Sequence, residues 1–237
     1  MSEILASILV GIIQGITEWL PISSEGIITI LYLLIFQEKT IENALGFAIW
    51  VHGGTAISVT VYFRNELTSL FKEFIKDPLH PSPLTSFLIT STLTSIIVVS
   101  AVIFILKDIS ESISSIAMLI IGLLMLFTGI MQTNRFRRSL GIRNANTINT
   151  KDAILSGIGQ GFAILPGISR SATTVSIFIF RGFEKKEALR LSFLMSVPAS
   201  WGAAGLGLIN LESGLSISAI LALIAVSYTH LRAHETD

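Results

Sequence analysis

The chain has 237 residues, 51% hydrophobic and 14% charged, and its 16 Lys and Arg balance its 16 Asp and Glu. A mean hydropathy of +0.74 lies outside the range of soluble domains and predicts an all-α polytopic membrane protein. Zero net charge without a basic tail points away from nucleic acid, and the absence of cysteine excludes disulfides, thiolate metal sites and cysteine nucleophiles.

The opening MSEILASILVGIIQG has neither a positive leader region nor a small-residue cleavage site, so its apolar stretch is expected to remain in place. That stretch runs from Ile4 to Leu20, breaks at Pro21 and resumes from Gly26 to Phe36. A spanning helix needs roughly 20 apolar residues. Asn43 to Phe63, Thr85 to Leu106 and Ile113 to Met131 meet that length. A second interrupted stretch follows, Ala153 to Leu165, a break at Pro166, then Thr173 to Phe180; Leu191 to Ile209 is a further span. Each piece of the interrupted stretches is too short or too polar at its tip to cross, and broken backbone at membrane depth needs protein or a water-filled cavity around it. Both are therefore expected to be re-entrant helical hairpins, over residues 4–36 and 153–181. A last span starts near Ser216 and gives way to SYTHLRAHETD. The abrupt polarity marks residues 227–237 as a foreign tail on a single membrane domain, 1–226, that is cut short, and His230 and His234 are left out of any site.

The charges agree with this layout. If the first hairpin enters from outside, the segments predicted to face inward hold Arg64, Lys72, Lys76, Arg135, Arg137, Arg138, Arg143, Lys151, Arg181, Lys185, Lys186 and Arg190, twelve of the 16 basic residues. Lys39 and Lys107 face outward, Arg232 lies in the tail, and Arg170 alone is left in the membrane.

The two hairpins resemble each other. GIIQGITEWLPIS (Gly11 to Ser23) and GIGQGFAILPGIS (Gly157 to Ser169) match at Gln14 and Gln160, Gly15 and Gly161, and Ser23 and Ser169 at one constant offset. With the two entering from opposite faces, this is an inverted-topology repeat of the kind whose broken helices meet near the midplane.

Chemistry gathers at the breaks. Gln14 and Glu18, at i and i+4, share a helix face just before the hydroxyls of Ser23 and Ser24. Ser169, Arg170, Ser171 and, one turn on, Thr174 open the returning half of the second hairpin. Free N–H groups, hydroxyls and a guanidinium fork at a helix start suit a phosphate. An arginine at membrane depth needs a partner: Glu18, a phosphate, or both. Plainer readings stand beside these: the glycines as close-packing positions, the hydroxyls bonded to the preceding turn, Glu18 at the interface beside Trp19, and Trp50 and Trp201 as packing or interface aromatics. His52 in WVHGGT reads first as a helix-packing histidine, with a site role as the alternative.

QGITEWLPISS with PGISRSATT resembles the undecaprenyl-diphosphate phosphatase family, the bacitracin-resistance proteins. The similarity extends from the N-terminus to about Val226 and includes LSFLMSVPAS. It implies a membrane hydrolase that removes the terminal phosphate of a polyprenyl diphosphate and so serves cell-envelope and peptidoglycan assembly from the plasma or inner membrane. A homodimer is left open. Gln14 and Glu18 match the family's paired amide and acidic positions, and Ser24 a serine that is nucleophile or phosphate ligand. Pro166, Gly167, Ser169, Arg170, Ser171 and Thr174 match the second motif. The family commonly continues Ser-Ser-Thr-Gly-His where this chain has Glu25 and Ile27, so a histidine is missing; either Glu18 or Glu25 substitutes or this branch is catalytically altered, and Ala172 replaces a glycine.

The expected site thus has Glu18, Ser24 and Arg170 as catalytic groups. Ser23, Gly167, Ser169, Ser171 and Thr174 bind the phosphates, Gln14 and Glu25 support them, and no organic cofactor is called for. Glu18 either takes a proton or holds Mg²⁺ or another divalent cation. The diphosphate head would sit between the hairpin tips, with the prenyl tail along apolar helix faces. Two rivals remain, a lipid-phosphate transporter or flippase and a catalytically altered protein that binds the lipid diphosphate.

Overall fold

The computed structural model describes residues 3–18, 20, 22–36, 41–106, 114–136, 141–165, 167–210 and 216–235. Trp19, Pro21, Pro166, Lys39, Lys107, Arg137 and Arg138 lie outside them. The described secondary structure is helical, apart from an isolated bridge between Arg143 and Phe183 and a 3-10 turn at Ala145–Thr147. The helices are α1 (Glu3–Thr17), α2 (Ser24–Ile35), α3 (Ile41–Trp50), α4 (His52–Tyr62), α5 (Arg64–Lys76), α6 (Pro83–Leu106), α7 (Ser114–Phe136), α8 (Thr150–Phe162), α9 (Arg170–Phe180), α10 (Lys185–Asn210) and α11 (Ile217–Glu235).

Among the described residues, three stretches are long and apolar enough to cross a membrane: Asn43–Tyr62, Pro83–Ile105 and Lys185–Ile209. The first joins α3 to α4 through a bend at Val51, where the Gly54 N–H reaches back three residues to the Val51 carbonyl. Of the four expected spans, that over Ile113 to Met131 falls partly outside the described residues, and its described apolar stretch, Leu119–Ile130, is shorter. α6 leaves Ile97 68% and Phe104 77% exposed. Such apolar surface in water marks an interaction surface; on a helix of this length it is a lipid-facing one.

The chain divides into two compact units, residues 1–62 with 196–237, and residues 63–195. α10 contributes to each, with Pro198 inside it close to the division.

In the first unit α1 lies along α11, and Val10, Ile28, Phe47, Ala48, Val51, Ala219, Ala222 and Val226 form the core. Gly11 and Gly15 set the approach. A Cβ on Gly11 would strike the Ala222 carbonyl, and one on Gly15 the Thr229 side chain. α11 continues through the polar end of the sequence to Glu235, with His230 fully buried. One continuous helix keeps the backbone of this stretch hydrogen-bonded, which a local polarity pattern does not reveal.

The second unit repeats the arrangement. α8 lies along α6, and a Cβ on Gly157 would come 2.6 Å from the Ser91 carbonyl oxygen, one on Gly161 2.5 Å from Val98 Cβ. The Gly-x-x-Gln-Gly segments are therefore helix-packing surfaces in both units. Gly157→Val should destabilise the protein by about 1–3 kcal/mol, because the backbone carbonyl opposite cannot move aside. A lowered thermal midpoint in detergent would register this; an unchanged midpoint would show that α6 and α8 separate without cost.

An ion cluster closes this unit. The Asp152 carboxylate is fully buried and accepts hydrogen bonds from Arg143 Nη2 and Arg181 Nε, each at 2.6 Å. It also closes a capping box with Asn149 at the start of α8. Arg143 in turn stacks over Phe183, 4.2 Å from the ring centre. Burial acts to raise the pKa of Asp152, but the two guanidinium hydrogen bonds and the Asn149 N–H together hold it below the ordinary carboxylate value of 3.8. A depressed folded-state pKa contributes stability that is present above 3.8 and lost as pH falls through the lowered value. Asp152→Ala should remove about 3–5 kcal/mol by leaving two arginines uncompensated. It should also flatten the acid limb of the stability–pH curve; a parent-like curve would contradict the assignment.

Candidate active site

The first helix break builds a buried acid cluster. α1 ends at Thr17, yet the Glu18 N–H still bonds the Gln14 carbonyl at 2.9 Å, so the i, i+4 relation holds one residue beyond the helix. Glu18 is 5% exposed. Its Oε2 accepts from Ser24 Oγ at 2.5 Å and from Gln14 Nε2 at 3.1 Å. An ionised carboxylate is tolerated at such depth only with partners of this kind. Sequence reading left Glu18 open to an interfacial position, and the structure buries it. Gln14 is also fully buried, and its Oε1 has no hydrogen-bond partner among the described residues.

Ser23 and Ser169, the matched serines of the repeat, have one shared job. Ser23 is the N-cap of α2, accepting the Gly26 N–H at 3.2 Å; Ser169 is the N-cap of α9, accepting the Ala172 N–H at 3.2 Å. Capping uses an oxygen lone pair and leaves each O–H able to donate.

The helix starts behind these caps differ in charge. The first turn of α2 carries Glu25, whereas that of α9 carries no acid and begins with half-buried Arg170. Positive dipole end and guanidinium therefore add together at α9, which suits an anion. At α2 a carboxylate offsets the dipole, which suits proton handling.

Around α9 the hydroxyls divide. Ser169 Oγ and Ser171 Oγ lie 3.3 Å apart near the N-terminus. Thr174 is fully buried, bonded to the Arg170 carbonyl at 2.9 Å and to Ser192 Oγ at 2.6 Å, so its hydroxyl is engaged inside the fold. Gly167 also serves the fold. Its φ of +103° is a conformation that glycine adopts freely, its carbonyl accepts from Thr128 Oγ1 at 3.1 Å, and a Cβ would sit 2.6 Å from the Ile121 carbonyl oxygen.

Two residues gain weight. His52 lies with Nε2 3.6 Å from both Glu18 Oε2 and Glu25 Oε1, beside the two acids. Its presence as an ionisable group inside a span was the available signal. Ser192 on α10 had none, since nothing in its spacing links it to Thr174. Trp50 packs as expected, donating to the Ala219 carbonyl at 3.2 Å.

The Glu18 oxygen already faces two donors, the His52 ring stands at ion-pair distance from both carboxylates, and no group of three or more His, Asp or Glu among the described residues is set to hold an ion.

The family model for bacitracin resistance protein BacA matches residues 7–233. The undecaprenyl-diphosphatase of Methanococcoides burtonii is 38% identical, over 94% of this chain and 85% of the relative. The undecaprenyl-diphosphatase of Haloarcula marismortui is 34% identical over 89% of this chain and 78% of its own. That of Methanothrix thermoacetophila is 34% identical over 99% and 86%.

Proposed function

The chain belongs to the bacitracin resistance protein BacA family, and from that premise we propose that it is a membrane enzyme hydrolysing undecaprenyl diphosphate to the monophosphate and inorganic phosphate. The observation that carries the mechanism is the 2.5 Å hydrogen bond from Ser24 Oγ to the buried Glu18 carboxylate, a nucleophile already joined to its base. Ser24 Oγ forms a bond to the terminal phosphorus as the bridging P–O bond breaks. The lipid monophosphate leaves, and the serine proton passes to Glu18. Glu18 hands that proton to the departing lipid monophosphate; water then attacks the phosphoserine with Glu18 again as base, and the proton it takes from the water goes to Ser24 Oγ as phosphate leaves. Gln14 holds the Glu18 carboxylate by its N–H. Arg170, with Ser169 and Ser171 at the start of α9, offers an anion site suited to a phosphate of the lipid. A divalent ion enters this scheme only as a companion of the diphosphate.

The enzyme resides in the plasma or inner membrane and crosses it several times, with α1–α2 and α8–α9 as re-entrant pairs. Single cysteines placed at the breaks of this cysteine-free chain report by labelling which side each faces. The test of activity is incubation of the purified, detergent-solubilised protein with undecaprenyl diphosphate, with and without Mg²⁺. Equimolar monophosphate and inorganic phosphate are expected; recovery of intact diphosphate from folded protein would overturn the reading.

Movement of the lipid phosphate across the membrane is a second reading. It is favoured by the equivalent caps at Ser23 and Ser169, because paired broken helices are a transporter feature. Lipid transfer between vesicle leaflets without phosphate release would select it.

A further inference from the structure

α5 is amphipathic but has little protein to lean on. Its sequence RNELTSLFKEFIK gathers Leu67, Leu70, Phe71, Phe74 and Ile75 on one side, yet none of its residues is fully buried. At about 100° per residue its side chains fall into four rows. Glu66 and Glu73 form one, and Leu67, Leu70 and Phe74, all half-buried, form the row against the protein. Phe71 and Ile75 form the next and are 64% and 61% exposed. Exposed Lys72 and Lys76 complete the circuit.

Charge and position together identify what covers the exposed apolar row. The protein takes up both acids: Glu66 pairs with Arg190 on α10, and Glu73 Oε1 accepts the Ser82 N–H at 2.8 Å, directly ahead of α6. Lys72 and Lys76 form no ion pair among the described residues, so the outward charge of α5 is positive. The apolar stretch of α6, Pro83–Ile105, has 23 residues, or about 35 Å of helix for a hydrocarbon core of about 30 Å. Ser82 therefore lies at the bilayer edge, and the Glu73 bond holds α5 there with it. At 13 residues α5 is about 20 Å long and too short to cross. Leu79, in the turn leading to α6, and then Ile89 and Leu93 on α6 are exposed as well, which continues the apolar surface into the span.

We propose that α5 lies in the plane of the membrane and binds anionic phospholipid, with Phe71 and Ile75 in the acyl-chain boundary and Lys72 and Lys76 against the headgroup phosphates. Apolar side chains flanked by lysines on a helix too short to span are the pattern of interfacial binding, and each lysine near the surface adds attraction to anionic headgroups. None of these residues belongs to the proposed catalytic set, so the surface is independent of the hydrolysis.

The test uses the full chain, which has no cysteine of its own, in phosphatidylcholine nanodiscs containing phosphatidylglycerol. A polarity-sensitive fluorophore is placed at Phe71→Cys, Ile75→Cys, Asn65→Cys or Ser69→Cys, one at a time. Labels at 71 and 75 should be quenched by nitroxide carried on lipid and shielded from a water-soluble quencher; labels at 65 and 69 should show the reverse. Quenching from water at 71 and 75 overturns the proposal, and so does shielding from both quenchers, which is the pattern of a second copy or another protein seated on α5. At equal mole fraction, spin-labelled phosphatidylglycerol should quench the label at 71 about two- to fivefold more than spin-labelled phosphatidylcholine does. That preference should shrink with added salt and vanish in Lys72→Gln/Lys76→Gln. A preference that survives both changes overturns the headgroup assignment.

Discussion

Glu18→Gln should lower kcat for phosphate release from undecaprenyl diphosphate by about 10²–10⁴-fold, the range for loss of a positioned general base. Glutamine keeps the volume and can still accept the Ser24 hydroxyl, so packing at this buried site is preserved while the ability to take the proton is gone. Ser24→Ala should be at least as damaging, because the atom that bonds phosphorus is removed. The two act as one unit through their 2.5 Å hydrogen bond. The double variant should therefore be little slower than the slower single one. Steady-state kinetics on the four proteins checks this, with thermal unfolding to establish that each is folded. Losses that simply multiply would show that Ser24 and Glu18 serve separate steps.

Arg170→Ala should lower kcat/KM by about 10²–10³-fold, as for removal of a preorganised donor to developing charge. The residue opens α9 with no acid in the first turn, so guanidinium and helix dipole favour the same anion. Arg170→Lys should recover only part, since an ammonium restores the charge without the planar fork that pairs with phosphate oxygens. Alanine and parent enzymes of equal kcat/KM, with the variant inserted and folded, would remove Arg170 from the site.

Much of the site was legible because it is written in local spacing. The offset that pairs Ser23 with Ser169 also pairs their structural roles, since both cap a returning helix through the N–H three residues on. Gln14 and Glu18 met across one turn as i, i+4 geometry requires. What stayed hidden depends on contacts distant in sequence. The glycines read as close-packing residues, but nothing in them names α11 for one pair and α6 for the other. Arg143 and Arg181 were counted only as inward-facing charge, yet both converge on Asp152. Thr174 was read as a phosphate ligand, and nothing in its spacing pointed to Ser192, 18 positions away, which shares its hydroxyl. His52 carried too little local context to reveal that α4 would bring it to both acids.

A single-turnover reaction with undecaprenyl diphosphate radiolabelled in its terminal phosphate tests the central claim most directly. Label should appear as inorganic phosphate, pass transiently through Ser24 in acid-quenched parent enzyme, and never reach the protein in Ser24→Ala. Label that stays in the lipid in the presence of folded, lipid-binding parent protein would contradict the account.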